Sequence, residues 1–140
     1  MCQLWKHKII IYIGLTLGLA ITFQSCEKSE EKLFVRLASK DTGITFKNVL
    51  KDTPDLNILT YLYYYNGGGV AAADFNNDDL IDLYFTANQS ADKLYLNKGN
   101  FVFEDITEYA GIHNLGNWTT GVTHVDINND GLEDIYICRV

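Results

Sequence analysis

Apolar residues along this chain fall into short runs separated by polar turns, apart from one long run near the start. Apolar and polar positions that alternate over about four to eight residues indicate half-buried strands. Lys98-Gly99-Asn100 lies between two such runs and indicates a hairpin, and Glu108–Ile112 predicts one helical turn. The predicted strands are Gly43–Leu50, Gly69–Phe75, Leu80–Ala87, Lys93–Leu96, Phe101–Ile106 and Leu132–Val140.

An Asp- and Asn-rich loop links two of these strands and occurs twice. The first copy spans residues 74–82, and the second lies 52 residues later, at 126–134. From Gly69–Tyr84 to Gly121–Tyr136, 9 of 16 aligned residues are identical. A supersecondary unit copied at fixed spacing is typical of repeat architectures. The sequence therefore predicts an array of similar units.

Oxygen donors recur at alternate positions of each loop. Calcium takes about six to eight oxygen ligands, from carboxylates, amides, backbone carbonyls and water. The loops contain no soft ligand, which disfavours zinc and copper. The predicted calcium ligands, with leucine acting through its carbonyl, are Asp74, Asn76, Asp78, Leu80, Asp82, Asp126, Asn128, Asp130, Leu132 and Asp134.

Two other kinds of loop share part of this pattern. An EF-hand needs Glu at position 12 and flanking helices, but Phe85 and Ile137 stand at that position, between strand-like runs. Asp and Asn also cluster in hairpin turns that bind no metal, because their side chains bond to nearby backbone groups. That alternative explains one such loop more easily than two in register, each closed by a further Asp.

The run Gly67–Asp74 followed by Asn-Asn-Asp resembles the FG-GAP/VCBS repeat of integrin-alpha-like β-propellers. Lys93–Asn100 and Phe103–Thr107 resemble its connecting strands. A wider resemblance, over Gly43–Val140, is to bacterial lipoproteins of the ASPIC/UnbV class, related to cartilage acidic proteins. It implies an all-β fold: a partial β-propeller of about one and a half blades, the N-terminal piece of a longer protein. Asp79 departs from the repeat pattern, which has Gly there.

The start of the chain has the layout of an export signal. Lys6 and Lys8 precede the apolar residues 9–23, and Ser25-Cys26 follows. This predicts a lipoprotein signal peptide over 1–26, with lipid on Cys26 holding the protein at the outer membrane or cell surface of a Gram-negative bacterium. Ordinary secretion or an uncleaved anchor are the alternatives. A polar tether at 27–42 and an incomplete repeat region at 43–140 complete the predicted organisation.

The net charge and the absence of a catalytic motif limit the classes of function that the sequence supports. The chain has net charge −7, and residues 27–140, with 9 basic and 18 acidic side chains, have −9, which argues against nucleic acid as a partner. No nucleophile–base set is recognisable. The sequence favours a non-catalytic, calcium-stabilised and lipid-anchored binding or adhesion module for a protein or glycan ligand. The alternative is the carrier propeller of a secreted polysaccharide-degrading enzyme.

Three further expectations concern packing. The apolar and aromatic run Ile58–Tyr65 is expected in the core rather than as a ligand platform. Trp118 is also expected in the core rather than as a residue that stacks on a sugar. Cys138, within a predicted strand, is expected to be a buried small hydrophobe. His113 and His124 are isolated in the sequence and are expected on the surface or packed, not as ligands.

Overall fold

The computed structural model describes residues 32–113 and 118–140, and residues 36–140 form a compact unit. The predicted signal peptide and Cys26 lie outside the described residues. In these ranges no helix has the length and apolar character needed to cross a bilayer. The elements are α1 (Ser39–Thr42), β1 (Val70–Ala73), β2 (Asp82–Phe85), β3 (Lys93–Asn97), β4 (Phe103–Asp105), β5 (Thr119–Val125) and β6 (Asp134–Arg139).

The first four strands form one antiparallel sheet in the order β1-β2-β3-β4. Each strand pairs with its neighbour in the chain, so every connection is local. The Asp-rich loop joins β1 to β2. At the predicted hairpin between β3 and β4, Lys98 N–H donates to the Val102 carbonyl at 2.7 Å. Four antiparallel strands in a meander are the content of one propeller blade.

The last two strands form a second antiparallel sheet whose register repeats that of β1 and β2. Val70 pairs with Phe85 in the first sheet, and Val122 pairs with Ile137 in the second, each 52 residues later. The pair of Ala73 and Asp82 corresponds in the same way to Val125 and Asp134. The predicted repeat and the all-β, partial-propeller fold class are confirmed.

The core lies between the two sheets. Its buried centre is Ala71, Tyr84 and Leu94. Partly buried apolar side chains pack against it from the second sheet, from the loop after β1 and from the turn after β4: Phe75, Ile106, Ile112, Val122, Ile135 and Ile137. Gly69 lies at a close approach of the two sheets. A β-carbon there would lie 3.1 Å from the Val122 nitrogen and 3.2 Å from the Thr120 carbonyl oxygen. The absence of a side chain at Gly69 therefore allows its backbone to approach the backbone of β5 closely. The alternation of apolar and polar residues in the sequence does not predict this contact.

Apart from Gly43–Leu50, the predicted strands are confirmed in place and order, and most of them begin later and end earlier than expected. The sheet ladder stops at Ala73 and resumes at Asp82, because Phe75 N–H donates to the Asp82 carboxylate instead of to a strand. Phe101 has a φ of 59° and belongs to the hairpin turn, so β4 begins at Phe103. The predicted helical turn is present as a single turn, in which Ala110 N–H donates to the Ile106 carbonyl at 2.8 Å.

The predicted strand over Gly43–Leu50 is wrong. That segment lies against the first sheet through side chains rather than through a backbone ladder. Asn48 and Asn88 bond to each other, the Asn48 amide donating to Asn88 Oδ1 at 2.6 Å and Asn88 N–H donating to Asn48 Oδ1 at 3.1 Å. Phe46 stacks on Phe85 at 5.1 Å between ring centroids. The apolar residues of this segment pack against the sheet without forming backbone hydrogen bonds to it. The alternation of apolar and polar residues cannot distinguish these two cases.

The run Ile58–Tyr65 forms turns, and the expectation that it lies in the core holds for Tyr64 alone. Tyr64 is fully buried, whereas Leu59 is 93% exposed. The rings of Tyr64 and Trp118 lie 5.3 Å apart, and Tyr61 meets Trp118 edge to face at 5.4 Å. Trp118 is therefore a packing residue, as expected.

The expectation that Cys138 is buried is wrong, because the thiol is exposed. Cys138 lies on the face of β6 that points away from the first sheet, as alternation from Ile137 requires. His113 is exposed, as expected. His124 is not isolated in space, since its Nδ1 lies 2.7 Å from the Glu133 carboxylate.

Candidate functional site

The first Asp-rich loop is folded around its own side-chain oxygens. Asp78 N–H donates to Asp74 Oδ1 and to Asn76 Oδ1, both at 3.1 Å, so these two oxygens converge on one nitrogen. Asp79 N–H donates to the other oxygen of Asp74 at 2.8 Å, and Leu80 N–H donates to Asp78 Oδ1 at 2.9 Å. The donors predicted at positions 1, 3 and 5 are thus gathered in one turn.

The second loop has the same hydrogen bonds between the residues that lie 52 positions later in the chain. Asp130 N–H donates to Asp126 Oδ1 and to Asn128 Oδ1, both at 3.0 Å. Gly131 N–H donates to Asp126 Oδ2 at 2.8 Å, and Leu132 N–H donates to Asp130 Oδ1 at 2.9 Å. The two loops differ at three of their nine positions and still share one conformation, so the shared Asp and Asn side chains determine it.

Position 6 of each loop has the left-handed backbone that the pattern predicts. Asp79 has a φ of 66° and Gly131 a φ of 86°. Glycine adopts this region freely, whereas other residues are strained there by roughly 1–2 kcal/mol. The first loop therefore carries a backbone cost that the second does not.

Position 9 closes each loop onto its start. Asp82 Oδ2 accepts from Phe75 N–H and Asp134 Oδ2 accepts from Ile127 N–H, both at 3.1 Å. Asp82 is fully buried, and its second oxygen accepts from Asn97 N–H on β3 at 2.8 Å. This carboxylate joins the loop to the third strand of the sheet, a structural role beyond the ligand role predicted for it.

The loop carboxylates affect each other electrostatically. Burial raises the pKa of the Asp82 carboxyl, the N–H groups of Asn97 and Phe75 lower it, and the nearby charges of Asp78 and Asp74 raise it, leaving it above its ordinary value. For Asp74, burial acts to raise the pKa, but N–H donors of the loop, first Asp79 and then Asp78, outweigh it and leave the pKa lowered. Asp74 is therefore held ionised, as a cation ligand must be.

Comparison with known protein families gives a match in the segment that contains the two loops. Residues 74–137 match the family model of the FG-GAP-like repeat. The match begins at the first Asp of the first loop and ends within β6, so the matched region contains both loops, β2 to β5 and the first part of β6. Comparisons with curated proteins and with solved structures give no match.

The two Asp-rich loops fit a hard cation in their donor chemistry. Each offers three carboxylates, one amide oxygen and one backbone carbonyl, which is the set that calcium prefers. In the part of the chain that the structure describes, no three His, Cys, Asp or Glu side chains are grouped closely enough to hold a metal by themselves. Asn and backbone oxygens would therefore be needed to complete a shell with the carboxylates of either loop.

A buried carboxylate that the sequence did not single out connects the two sheets. Asp92, fully buried, accepts from Ala87 N–H at 2.7 Å and from the Tyr84 hydroxyl at 2.9 Å, and the Thr119 hydroxyl contacts it from β5. Thr119 lies 27 residues from Asp92. No local spacing marks such a contact, and a lone Asp before a strand carries no motif signal.

Side chains near Asp92 extend this connection. The Thr86 hydroxyl accepts from Gly69 N–H at 2.6 Å and lies 3.0 Å from the Thr120 carbonyl. The Asn88 amide donates to the Thr119 carbonyl at 3.2 Å and to the Gly67 carbonyl at 3.3 Å. Backbone pairing continues it, since Thr119 N–H donates to the Ala87 carbonyl at 3.0 Å. The two sheets are thus held together by polar contacts as well as by the apolar core.

Proposed function

We propose that this protein is a non-catalytic binding or adhesion module at the cell surface, stabilised by calcium and anchored through lipid on Cys26. The observation that carries the proposal is the pair of loops with matching hydrogen bonds, folded around alternate Asp and Asn oxygens in a segment that matches the FG-GAP-like repeat. FG-GAP-like repeats are generally binding modules of propellers, as in integrins. A protein or glycan is the proposed ligand.

Calcium would be held in the first loop by Asp74, Asn76, Asp78, Asp82 and the Leu80 carbonyl, and in the second by Asp126, Asn128, Asp130, Asp134 and the Leu132 carbonyl. Bound calcium would neutralise the carboxylates of each loop, including Asp74 and Asp78, whose charges raise the pKa of the Asp82 carboxyl. The loops themselves set the order and spacing of the donors. Stiff loops at one edge of the sheets would then present a defined surface to a partner.

Calorimetric titration of the chain with calcium should give binding at two sites. Extracellular calcium modules often have dissociation constants of about 10⁻⁴–10⁻³ M, so the titration must reach several times that concentration. Asp130→Ala should abolish one of the two sites, because it removes a carboxylate and the acceptor of Leu132 N–H. Asp55→Ala, an exposed acid outside both loops, is the matched control. No calcium-dependent heat from a folded sample would refute the metal proposal.

The lipid anchor is tested separately. Cys26→Ser should move the protein from the membrane fraction to the soluble fraction, since several acyl chains at about 0.8 kcal/mol per buried methylene hold a lipoprotein stably. The variant should also keep its leader, because processing by the lipoprotein signal peptidase requires the cysteine. Cys138→Ser, an exposed thiol far along the chain, is the control. Unchanged fractionation and size for Cys26→Ser would contradict the proposed anchor.

The alternative function, a carrier propeller for a polysaccharide-degrading enzyme, predicts the same calcium behaviour and the same anchor. It differs in requiring hydrolytic activity in the protein that carries this segment. Release of reducing ends from a panel of acidic and neutral polysaccharides would favour the carrier. Saturable binding to a ligand without turnover would favour the binding module.

A further inference from the structure

Asn66-Gly67 is the one Asn-Gly pair in the sequence. It lies between a run of turns and β1, and Asn66 N–H donates to the Tyr63 carbonyl at 3.1 Å. Asn66 is exposed, and within residues 32–113 and 118–140 neither its side-chain amide nor the Gly67 N–H has a hydrogen-bond partner. Gly67 has a φ of 78°, and a β-carbon there would meet nothing within 4 Å. The two groups that could react with each other are therefore unrestrained.

An asparagine followed by glycine can close a five-membered ring. The Gly67 nitrogen forms a bond to Asn66 Cγ, the bond from Cγ to Nδ2 breaks, and the Gly67 amide proton leaves with Nδ2 as ammonia. Water then opens the cyclic imide. Cleavage of the new bond leaves aspartate, whereas cleavage of the original peptide bond leaves isoaspartate, in which the main chain passes through Cβ and Cγ. A β-carbon on the second residue hinders ring closure, and glycine has none.

The second Asp-rich loop contains a pair of the same kind that the fold restrains. Asp130-Gly131 is the one other place in the sequence where Asn or Asp precedes glycine. Gly131 N–H donates to Asp126 Oδ2 at 2.8 Å, and Asp130 Oδ1 accepts from Leu132 N–H at 2.9 Å. Both the attacking nitrogen and the carboxyl group are therefore held by the loop. The Asn-Gly pair ahead of β1 has no such contacts in the described ranges.

The three glycines that begin with Gly67 pack closely against the segment after β2. The Gly67 carbonyl accepts from the Asn88 amide at 3.3 Å, and Gly69 N–H donates to the Thr86 hydroxyl at 2.6 Å. A β-carbon at Gly68 would lie 2.3 Å from the Thr86 carbonyl oxygen, so the backbone has no free space there. Isoaspartate adds one carbon to the main chain immediately before these contacts. It would displace the glycines, including the one that approaches β5.

We propose that Asn66-Gly67 is a site of spontaneous deamidation and that its isoaspartyl product weakens the contact between the two sheets. The reaction consumes water, releases ammonia and needs no enzyme. Because the pair lies directly ahead of the glycines that the sheets pack around, the chemical age of a molecule determines the stability of its fold. The proposal does not depend on bound calcium, on the lipid anchor or on a ligand.

Peptide mass spectrometry of the full chain, kept in mild detergent at mildly alkaline pH, measures the reaction. Asn66 should undergo the amide-to-acid mass change at least about tenfold faster than Asn100. Asn100 is the matched control because it is exposed in a turn and is followed by Phe101 instead of glycine. In the described structure neither its side chain nor the Phe101 N–H has a hydrogen-bond partner. Equal rates at the two asparagines would overturn the proposal.

The same measurement in denaturant tests whether the fold leaves the pair unrestrained. Asn66 should react at rates within about threefold of each other in the folded and the denatured chain. Isomerisation of Asp130 should instead become at least about tenfold faster on denaturation, because its loop contacts are lost. A reaction at Asn66 that occurs only in denatured protein would show that the fold protects this pair, and would refute the assignment.

Melting curves separate the effect of the isoaspartyl linkage from that of the new charge. Aged protein should show a second transition at least about 4 °C below the first, with an amplitude that follows the isoaspartate fraction. Asn66→Asp has the charge without the extra main-chain carbon and should melt like fresh protein. Asn66→Gln, which needs a larger ring to cyclise, should not develop the lower transition on ageing. A single unchanged transition in protein rich in isoaspartate, or a lower transition in fresh Asn66→Asp, would contradict the proposed effect on the sheets.

Discussion

Replacing Asp92 by alanine is expected to lower the free energy of unfolding by about 3 kcal/mol, the largest loss from a single substitution outside the loops. Its carboxylate is fully buried and accepts from Ala87 N–H, the Tyr84 hydroxyl and the Thr119 hydroxyl. A buried donor that loses its acceptor costs about 1–3 kcal/mol. For a unit of this size the melting temperature should fall by roughly 10–20 °C.

Asp92→Asn keeps an acceptor oxygen and the shape of the side chain, so its loss should be smaller than that of Asp92→Ala. The matched control is Asp55→Ala, since Asp55 is exposed, and substitutions at such positions usually change stability by less than about 0.5 kcal/mol. Chemical denaturation monitored by tryptophan fluorescence suits this test, because Trp118 adjoins Thr119. Equal stabilities for Asp92→Ala and Asp55→Ala would show that the connection between the sheets does not depend on this carboxylate.

Calcium binding should increase the free energy of unfolding by an amount that is a large fraction of the total stability of a domain. A ligand that binds only the folded state adds about 2.7 kcal/mol per site at a hundredfold excess over its dissociation constant. Two sites would thus add about 5 kcal/mol, within the roughly 5–15 kcal/mol typical of a whole domain. Chelation should lower the melting temperature, and added calcium should restore it. Magnesium at the same concentration is the control cation.

The two loops should not contribute equally to this calcium effect. Asp79→Gly relieves a left-handed φ of 66° and removes one charge, so it should stabilise the first loop and raise its calcium affinity. Gly131→Asp should do the reverse in the second loop. A β-carbon at Gly131 meets nothing within 4 Å, so the effect comes from the backbone rather than from a clash. Melting curves of both variants with and without calcium measure it, and changes in the opposite directions would contradict the loop assignment.

The sequence predicted the repeat because its signal is local and occurs twice. The loops, the meander of four strands and the start of the second sheet all follow from spacings within a few residues of each other. Hydrogen bonds between Asp74 and Asp79, or between Asp126 and Gly131, span five residues and need no other part of the chain. Such features can be predicted from one sequence because they depend only on residues that are close together in the chain.

Three of the errors concern contacts between distant segments. Gly43–Leu50 has the composition of a strand, but Asn48 bonds to the side chain and backbone of Asn88, 40 residues away, and no ladder forms. Cys138 lies in a strand with apolar residues, but on the face turned away from the first sheet. Asp92 was missed because its partner from the second sheet is Thr119. Which face of a strand is covered, and by what, depends on tertiary packing that periodicity does not report.

The proposed function assigns one calcium ion to each of the two equivalent loops. Amide chemical shifts of ¹⁵N-labelled protein during a calcium titration test it most directly. The amides that donate to loop oxygens should shift most, in two matching sets: Asp78, Asp79 and Leu80, and Asp130, Gly131 and Leu132. The second set should respond at the lower calcium concentration, because Gly131 fits its turn without strain. Shifts confined to residues outside 74–82 and 126–134, or none at millimolar calcium, would contradict the account.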